Sequence, residues 1–249
     1  MNETIQTILS HRSIRKFEDK ELTKEQIQII VESAQAASTS SFVQAYSIIG
    51  VKNRDKKKKL AEVAGNQSYV AENGHFLIFC ADLHRHQTVG EMEGKDISTT
   101  LESTEKFMVA CIDAALASQN AVIAAESMGL GICYIGGLRN NLEEVGEILQ
   151  IPERVIPLFG IAIGYPAQQP DKKPRLPFNH IYHEDGYNTD AIQYKQQLEN
   201  YNEEISAYYE ERTIGKRQDT WSEQIVNMME KPTRMYMKEY VQKKGFNLK

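Results

Sequence analysis

His11-Arg12-Ser13-Ile14-Arg15 places an imidazole, two guanidiniums and a hydroxyl within five residues. Such donors can clamp a phosphate, because a guanidinium presents a planar fork that matches phosphate oxygens and keeps its charge at any working pH. The same run also reads as a solvated basic turn. Lys172-Lys173-Pro174-Arg175 offers similar chemistry on a segment stiffened by Pro170, Pro174 and Pro177, and its alternative is an ordinary charged loop. Arg212-Thr213-Ile214-Gly215-Lys216-Arg217 lies between two helical stretches and by itself reads as a solvated connector. The hydroxyls and backbone N–H groups of Ser38-Thr39-Ser40-Ser41 can bind polar parts of a ligand, or simply form a loop.

Other chemistries find little support. Gly129-x-Gly131 has Tyr134 where a dinucleotide fingerprint needs its third glycine, and these glycines leave a helix and enter a strand, the reverse of the Rossmann order. Gly136-Gly137, after that strand, suits either a ligand ring lying close to the backbone or a tight turn. The chain has no P-loop pattern, no H-E-x-x-H pair and no G-x-S-x-G elbow. His84-x-His86 and His180-x-x-His183 lack further ligands at metal-binding spacing and read as surface histidines, so no metal site is expected. Cys80, Cys111 and Cys133 are odd in number and far apart, which fits reduced core thiols in a cytoplasmic protein.

These groups must be positioned by ordinary secondary structure. Ile27, Ile30, Val31 and Ala34 recur at helical spacing over residues 24–37, with Thr23 as a cap. Apolar runs at Tyr46–Val51, Phe76–Ala81, Ile132–Ile135 and Val155–Ile163 predict buried strands. An alanine-rich stretch from about Glu102 to Met128 predicts a long helix ended by Gly129. Residues 84–104 are polar and predict a mobile excursion. After Pro177 the apolar content falls too low for a separate core, and helices are expected near 190–211 and 219–243. The result is one α/β domain over 1–249, with 178–249 as a helical C-terminal extension. At 249 residues the chain can bury a real core without disulfides or metal. Its 29 basic against 34 acidic residues give a net charge of −5, which argues against nucleic-acid binding. Its N-terminus has no signal-peptide pattern, and the uncharged stretch 155–170 is too short and too broken to span a bilayer.

In order along the chain, His11-Arg12-Ser13-Ile14-Arg15, the hydroxyl run ending in Ser41-Phe42-Val43-Gln44, Gly65-Asn66-Gln67, Tyr134-Ile135-Gly136-Gly137-Leu138-Arg139-Asn140, Lys173-Pro174-Arg175-Leu176-Pro177 and Asp219-Thr220-Trp221-Ser222 resemble the nitroreductase superfamily. The branch most similar is that of the NADPH-preferring flavin reductases, the oxygen-insensitive major nitroreductases. The resemblance implies an α/β (α+β) fold with a mixed four- or five-stranded central sheet flanked by helices. It also implies an obligate homodimer whose spine is the long helix, with one FMN at each subunit interface. By the same resemblance, His11, Arg12, Ser13, Arg15, Lys173 and Arg175 hold the FMN phosphate and ribityl chain. Thr39, Gln67, Tyr69, Tyr134, Ile135, Gly136 and Gly137 touch the flavin ring or its polar edge. Arg212 and Arg217, assisted by Lys216, read the 2′-phosphate of NADPH, and Arg234 lies at the pocket mouth. The implied reaction is ping-pong: NADPH passes hydride to flavin N5 and leaves, then a nitroaromatic, quinone or free flavin takes the electrons. No side chain is then required as a catalytic residue. The alternatives are a flavin-binding carrier without turnover and a specialised flavin-cleaving or dehalogenating member of the same fold.

Overall fold

Four apolar runs pair into one sheet: β1 (Tyr46–Val51), β2 (His75–Asp82), β3 (Gly131–Ile135) and β4 (Val155–Gly164). Each lies within one residue of its expected ends. The computed structural model, which describes all residues from Met1 to Lys249, orders them β1-β2-β4-β3 with every ladder antiparallel. Parallel pairing is confined to a single bridge between Ser13 and Ile132. All of β2 is buried, and its side chains alternate as the pleat requires. Phe76, Ile78 and Cys80 enter one core, while Leu77 and Phe79 enter another on the opposite face. Each fully buried Phe, Ile or Leu contributes about 1.5–3 kcal/mol to holding these layers together.

The helices of the first 150 residues are α1 (Glu3–Leu9), α2 (Lys24–Gln35), α3 (Arg54–Val63), α4 (His84–Met92), α5 (Ser98–Leu101), α6 (Thr104–Ser127) and α7 (Leu142–Leu149). Thr23 and Gln26 form a capping box at the start of α2. Ile30 and Ala34 of α2 pack with Ala117, Ala121 and Ala125 of α6 on one face of the sheet, and residues of α3 and α7 cover the other. Alanines at the α6 contact let the two helices approach closely. Ser103 caps α6, and Gly129, at φ 75°, turns the chain into β3. By length and composition α6 could cross a membrane, but here it carries the buried Asp113 and packs on the sheet.

Two segments differ from expectation. Residues 84–104 carry α4 and α5, which short polar contacts tie to the body: His86 Nε2 lies 2.7 Å from the Val43 carbonyl, and Arg154 pairs with Glu102 at 3.5 Å. The chain also divides into two compact units, Met1–Pro170 with Arg234–Lys249, and Asp171–Thr233. The second holds α8 (Phe178–Ile181), α9 (Ala191–Thr213) and α10 (Trp221–Met229). It has a small core after all, because Tyr201, Ile205 and Tyr209 share one face of α9 and meet Leu176, Tyr208 and Trp221. Tyrosines supplied the buried area that a count of aliphatic residues missed. The helix expected over 219–243 is broken, since Pro232 disfavours helix at the residue before it. Its last part, α11 (Met237–Lys243), belongs to the first unit, where Tyr240, Val241 and Phe246 join a core with Leu142 and Ile156.

Candidate active site

In the first unit the expected site residues gather around β3. Ile14 N–H donates to the Ile132 carbonyl at 2.8 Å, which lays the His11–Arg15 run along the strand. His11 Nδ1 lies 2.6 Å from Glu126 Oε1 on α6, leaving Nε2 as the ring nitrogen that can reach a ligand. Arg12 donates to the carbonyls of Ser10 at 3.2 Å and Pro170 at 3.3 Å. Arg15 is exposed and forms no ion pair with a carboxylate, so its fork is available to an anion. It lies close enough to the Tyr69 hydroxyl to counter the burial that pushes that phenol's pKa up. Tyr69 donates to Gln67 Oε1 at 2.7 Å. Burial likewise raises the Cys133 thiol, with Arg15 and Ser13 acting in the opposite sense.

The end of β3 adds Tyr134, Ile135, Gly136 and Gly137. Ser118 Oγ on α6 donates to the Ala115 carbonyl, so the Tyr134 hydroxyl donates to Ser118, at 3.0 Å. The Tyr134 ring meets Phe159 edge-on at 5.4 Å, and burial raises its phenol pKa. Ile135 is buried. A Cβ on Gly137 would sit 2.6 Å from the Ala64 carbonyl oxygen, so close packing against α3 accounts for that glycine without any ligand. Arg139 Nη1 donates to the Leu158 carbonyl at 2.5 Å, and Arg234 donates twice to Asn140 Oδ1, at 3.1 and 3.0 Å. Arg234 thus flanks the turn that follows β3.

Thr39 is placed elsewhere. It opens a turn in which Ser41, Phe42 and Gln44 take left-handed φ values of 48°, 58° and 52°. Asp113, fully buried on α6, holds both ends of this turn by accepting from Ser40 N–H and Ala45 N–H, each at 3.0 Å. His11 is anchored to the same helix at Glu126. The 13 residues from Asp113 to Glu126 span about 20 Å of helix, so within one chain the structure does not bring Thr39 to the His11 cluster.

In the second unit Lys173 Nζ donates to the Tyr209 hydroxyl at 2.8 Å, and Arg175 is exposed. Arg212 donates to the Tyr208 hydroxyl at 2.8 Å, and Arg217 makes a two-point pair with Asp219. Lys216 is exposed on the same connector. Asp113, Glu126, Ser118 and Tyr209 were not singled out from sequence. A lone aspartate followed by an uncharged run from Ala114 to Ala125 was the one available signal, since a carboxylate in an alanine-rich buried helix needs donors.

The donor set fits a phosphorylated, ring-bearing ligand: permanently charged guanidiniums and a hydroxyl lie along β3, with the Gln67 amide and Tyr69 phenol beside Arg15. A cavity of about 610 Å³ elsewhere in the first unit, lined by Lys20, Lys52, Lys57, Asn73 and His75 among others, contains none of these residues. The donor chemistry at β3 outweighs that cavity's volume in locating the site.

The model of the nitroreductase family matches residues 8–165, and that of the nitroreductase family C-terminal domain matches residues 173–249. Over 247 residues the chain is 59% identical to the FMN reductase (NADPH) of Bacillus subtilis (strain 168), with 99% of each chain covered. It is similar to the solved structure of B. megaterium NfrA1, with a TM-score of 0.98 at 67% identity, over 99% of this chain and 100% of that one. The NADPH:FMN oxidoreductase from Vibrio harveyi, solved in complex with NAD+, gives a TM-score of 0.90 at 39% identity with 100% of both chains covered.

Proposed function

We propose that this chain, which belongs to the nitroreductase family, is an NADPH-dependent FMN oxidoreductase that reduces nitroaromatics, quinones or free flavin. The observation that carries this reading is the meeting at β3 of His11, Arg12, Ser13 and Arg15 with Gln67, Tyr69 and the Tyr134–Gly137 turn. The names of the B. subtilis and V. harveyi relatives support the choice of NADPH and FMN.

Bound FMN would supply the two-electron redox chemistry between NADPH and a second substrate, so the protein needs no nucleophile of its own. Arg12 and Arg15 bind its phosphate, joined by Ser13, His11 Nε2, Lys173 and Arg175, and their charges hold the group against water. Gln67, Tyr69 and the end of β3 would hold and orient its ring. Arg212, Lys216 and Arg217 read the 2′-phosphate that distinguishes NADPH from NADH, with Arg234 at the mouth. These roles support 1–249 working as a single functional domain.

The active form is a homodimer. A site that uses both Thr39 and the His11 cluster takes them from different copies, given the roughly 20 Å of α6 between their anchors. An apolar stripe is available to join the copies: Met108, Ile112 and Leu116, at i, i+4 and i+8 on α6, are 53%, 51% and 45% exposed. The net charge of −5 and three free thiols support a cytoplasmic enzyme of small molecules, without nucleic-acid or membrane partners.

The test is absorbance of the purified protein between about 350 and 500 nm, then NADPH oxidation with and without a nitroaromatic or quinone. Flavin-loaded protein that turns over NADPH only with an acceptor supports the reading. Protein that binds FMN but oxidises no NADPH would be a carrier, and protein that stays colourless with added FMN would refute the site.

A further inference from the structure

Two cations with different proposed ligands meet on one buried side chain within the second unit. Lys173 Nζ donates to the Tyr209 hydroxyl at 2.8 Å, and the Arg217 guanidinium lies 4.3 Å from the Tyr209 ring centroid. Tyr209 itself is only 7% exposed. Its neighbours dictate the direction of its hydrogen bonds. Gln224 Nε2 donates to the carbonyls of Asp219 and Thr220, at 3.3 and 3.2 Å, which turns Gln224 Oε1 toward Tyr209. The Tyr209 hydroxyl therefore donates to Gln224, at 3.2 Å, and its lone pairs are left to receive the Lys173 ammonium.

The ring side is constrained as closely. Asp219 accepts from Arg217 Nε at 3.1 Å and from Nη2 at 2.5 Å. Thr213 Oγ1 donates to the Tyr209 carbonyl at 2.7 Å and accepts from Arg217 N–H at 2.9 Å. One arginine is thus fixed by a carboxylate, a backbone relay and an aromatic face. A cation held in one rotamer before its ligand arrives loses less conformational freedom on binding.

We propose that Tyr209 is a positioning residue for both substrates of the reaction: its hydroxyl aims Lys173 at the FMN phosphate, and its ring seats Arg217 for the 2′-phosphate of NADPH. This rests on the functional reading above, which assigns Lys173 and Arg217 those ligands. The two roles use different atoms, so they separate by substitution.

The experiment titrates FMN into apoprotein by flavin fluorescence and measures KM for NADPH and NADH in four variants of the full chain. Tyr209→Phe keeps the ring and should weaken FMN by roughly three- to tenfold while leaving the NADPH-to-NADH KM ratio as in the parent. Tyr209→Leu should weaken FMN to a similar extent and also lower NADPH selectivity several-fold. Lys173→Ala and Arg217→Ala report on the underlying assignments. If both respond while Tyr209→Phe retains full FMN affinity, or Tyr209→Leu retains full selectivity, the positioning role is wrong and the functional reading stands. Tyr209→Phe losing both properties together would mark a purely structural residue and also overturn the role. If Lys173→Ala and Arg217→Ala are silent, the functional reading fails and the Tyr209 proposal fails with it.

Discussion

Asp113 is where removing a few atoms should disturb the site without touching any ligand. Its carboxylate accepts two backbone N–H groups, and their fates on Asp113→Ala differ. Ser40 is exposed and its N–H can turn to water, whereas Ala45 is fully buried and its N–H cannot. Stranding the second costs about 1–3 kcal/mol and losing the first about 1 kcal/mol. Part of this is recovered, because the turn between them holds Ser41, Phe42 and Gln44 at left-handed φ, a conformation costing of the order of 1 kcal/mol each that relaxes once the clamp is gone. The expected net loss is therefore about 1–3 kcal/mol, a fall in Tm of roughly 2–6 °C for a chain of this size. The local effect should exceed the global one. Amide exchange across residues 40–45 should accelerate at least about tenfold, read by mass spectrometry, and FMN affinity should fall because Thr39 loses its fixed place. Asp113→Asn keeps one acceptor and should fall between parent and Ala. Unchanged exchange at Ala45 in Asp113→Ala would refute the clamp, whatever happened to Tm.

Replacing Arg15 or Arg175 by Ala should remove a charge-assisted bond of about 1.5–3 kcal/mol and weaken FMN at least about tenfold, and unaltered FMN affinity in both variants would dismiss the phosphate assignment. Ile112→Glu puts a charge into the apolar stripe of α6 and should yield flavin-free monomer by light scattering, and a flavin-loaded monomer would contradict the shared site. His75 is held at about 4 against an ordinary 6.5, first by burial and then by Lys52 and Lys57. Its depressed value means the unfolded chain binds the extra proton between those limits, so the neutral side chain's stabilising effect is full above about pH 6.5 and declines as pH falls toward 4, by at most about 3 kcal/mol. Urea titrations should show His75→Gln with a flatter acid limb than the parent, and identical limbs would remove His75 from the acid response.

How much of this was legible in the sequence depended on the range of the interaction that decides each feature. The strands could be read because apolar runs bounded by turn residues are a local signal, and Thr23 and Gln26 announce the start of α2 within four residues. The core of the second unit was not legible, because it consists of Tyr201, Ile205 and Tyr209 on one helix face meeting Leu176 and Trp221 from segments far along the chain. Tyrosine counts as polar in composition but buries a large ring once its hydroxyl has a partner, as that of Tyr201 has in the Pro174 carbonyl. Residues 84–104 misled in the opposite way: few large apolar side chains suggested an excursion, yet Arg154 and Val43 hold the segment through polar contacts that no local pattern reveals.

The site divides along the same line. His11 to Arg15 and Gly136-Gly137 stand out because unusual residue types are adjacent in sequence; the first run pairs with Ile132 of β3 and the second follows the end of that strand. What the motif order could not reveal is that one copy does not bring all the motifs to one place. Thr39 follows the His11 run by fewer than thirty residues, yet their anchors, Asp113 and Glu126, sit about 20 Å apart on a rigid helix. Because α6 is one continuous helix, alanine-packed and buried along one side, that separation cannot close by side-chain motion. A second copy is the economical way to bring a Thr39 turn to the β3 cluster, and the exposed Met108, Ile112 and Leu116 lie on the very helix that carries both anchors.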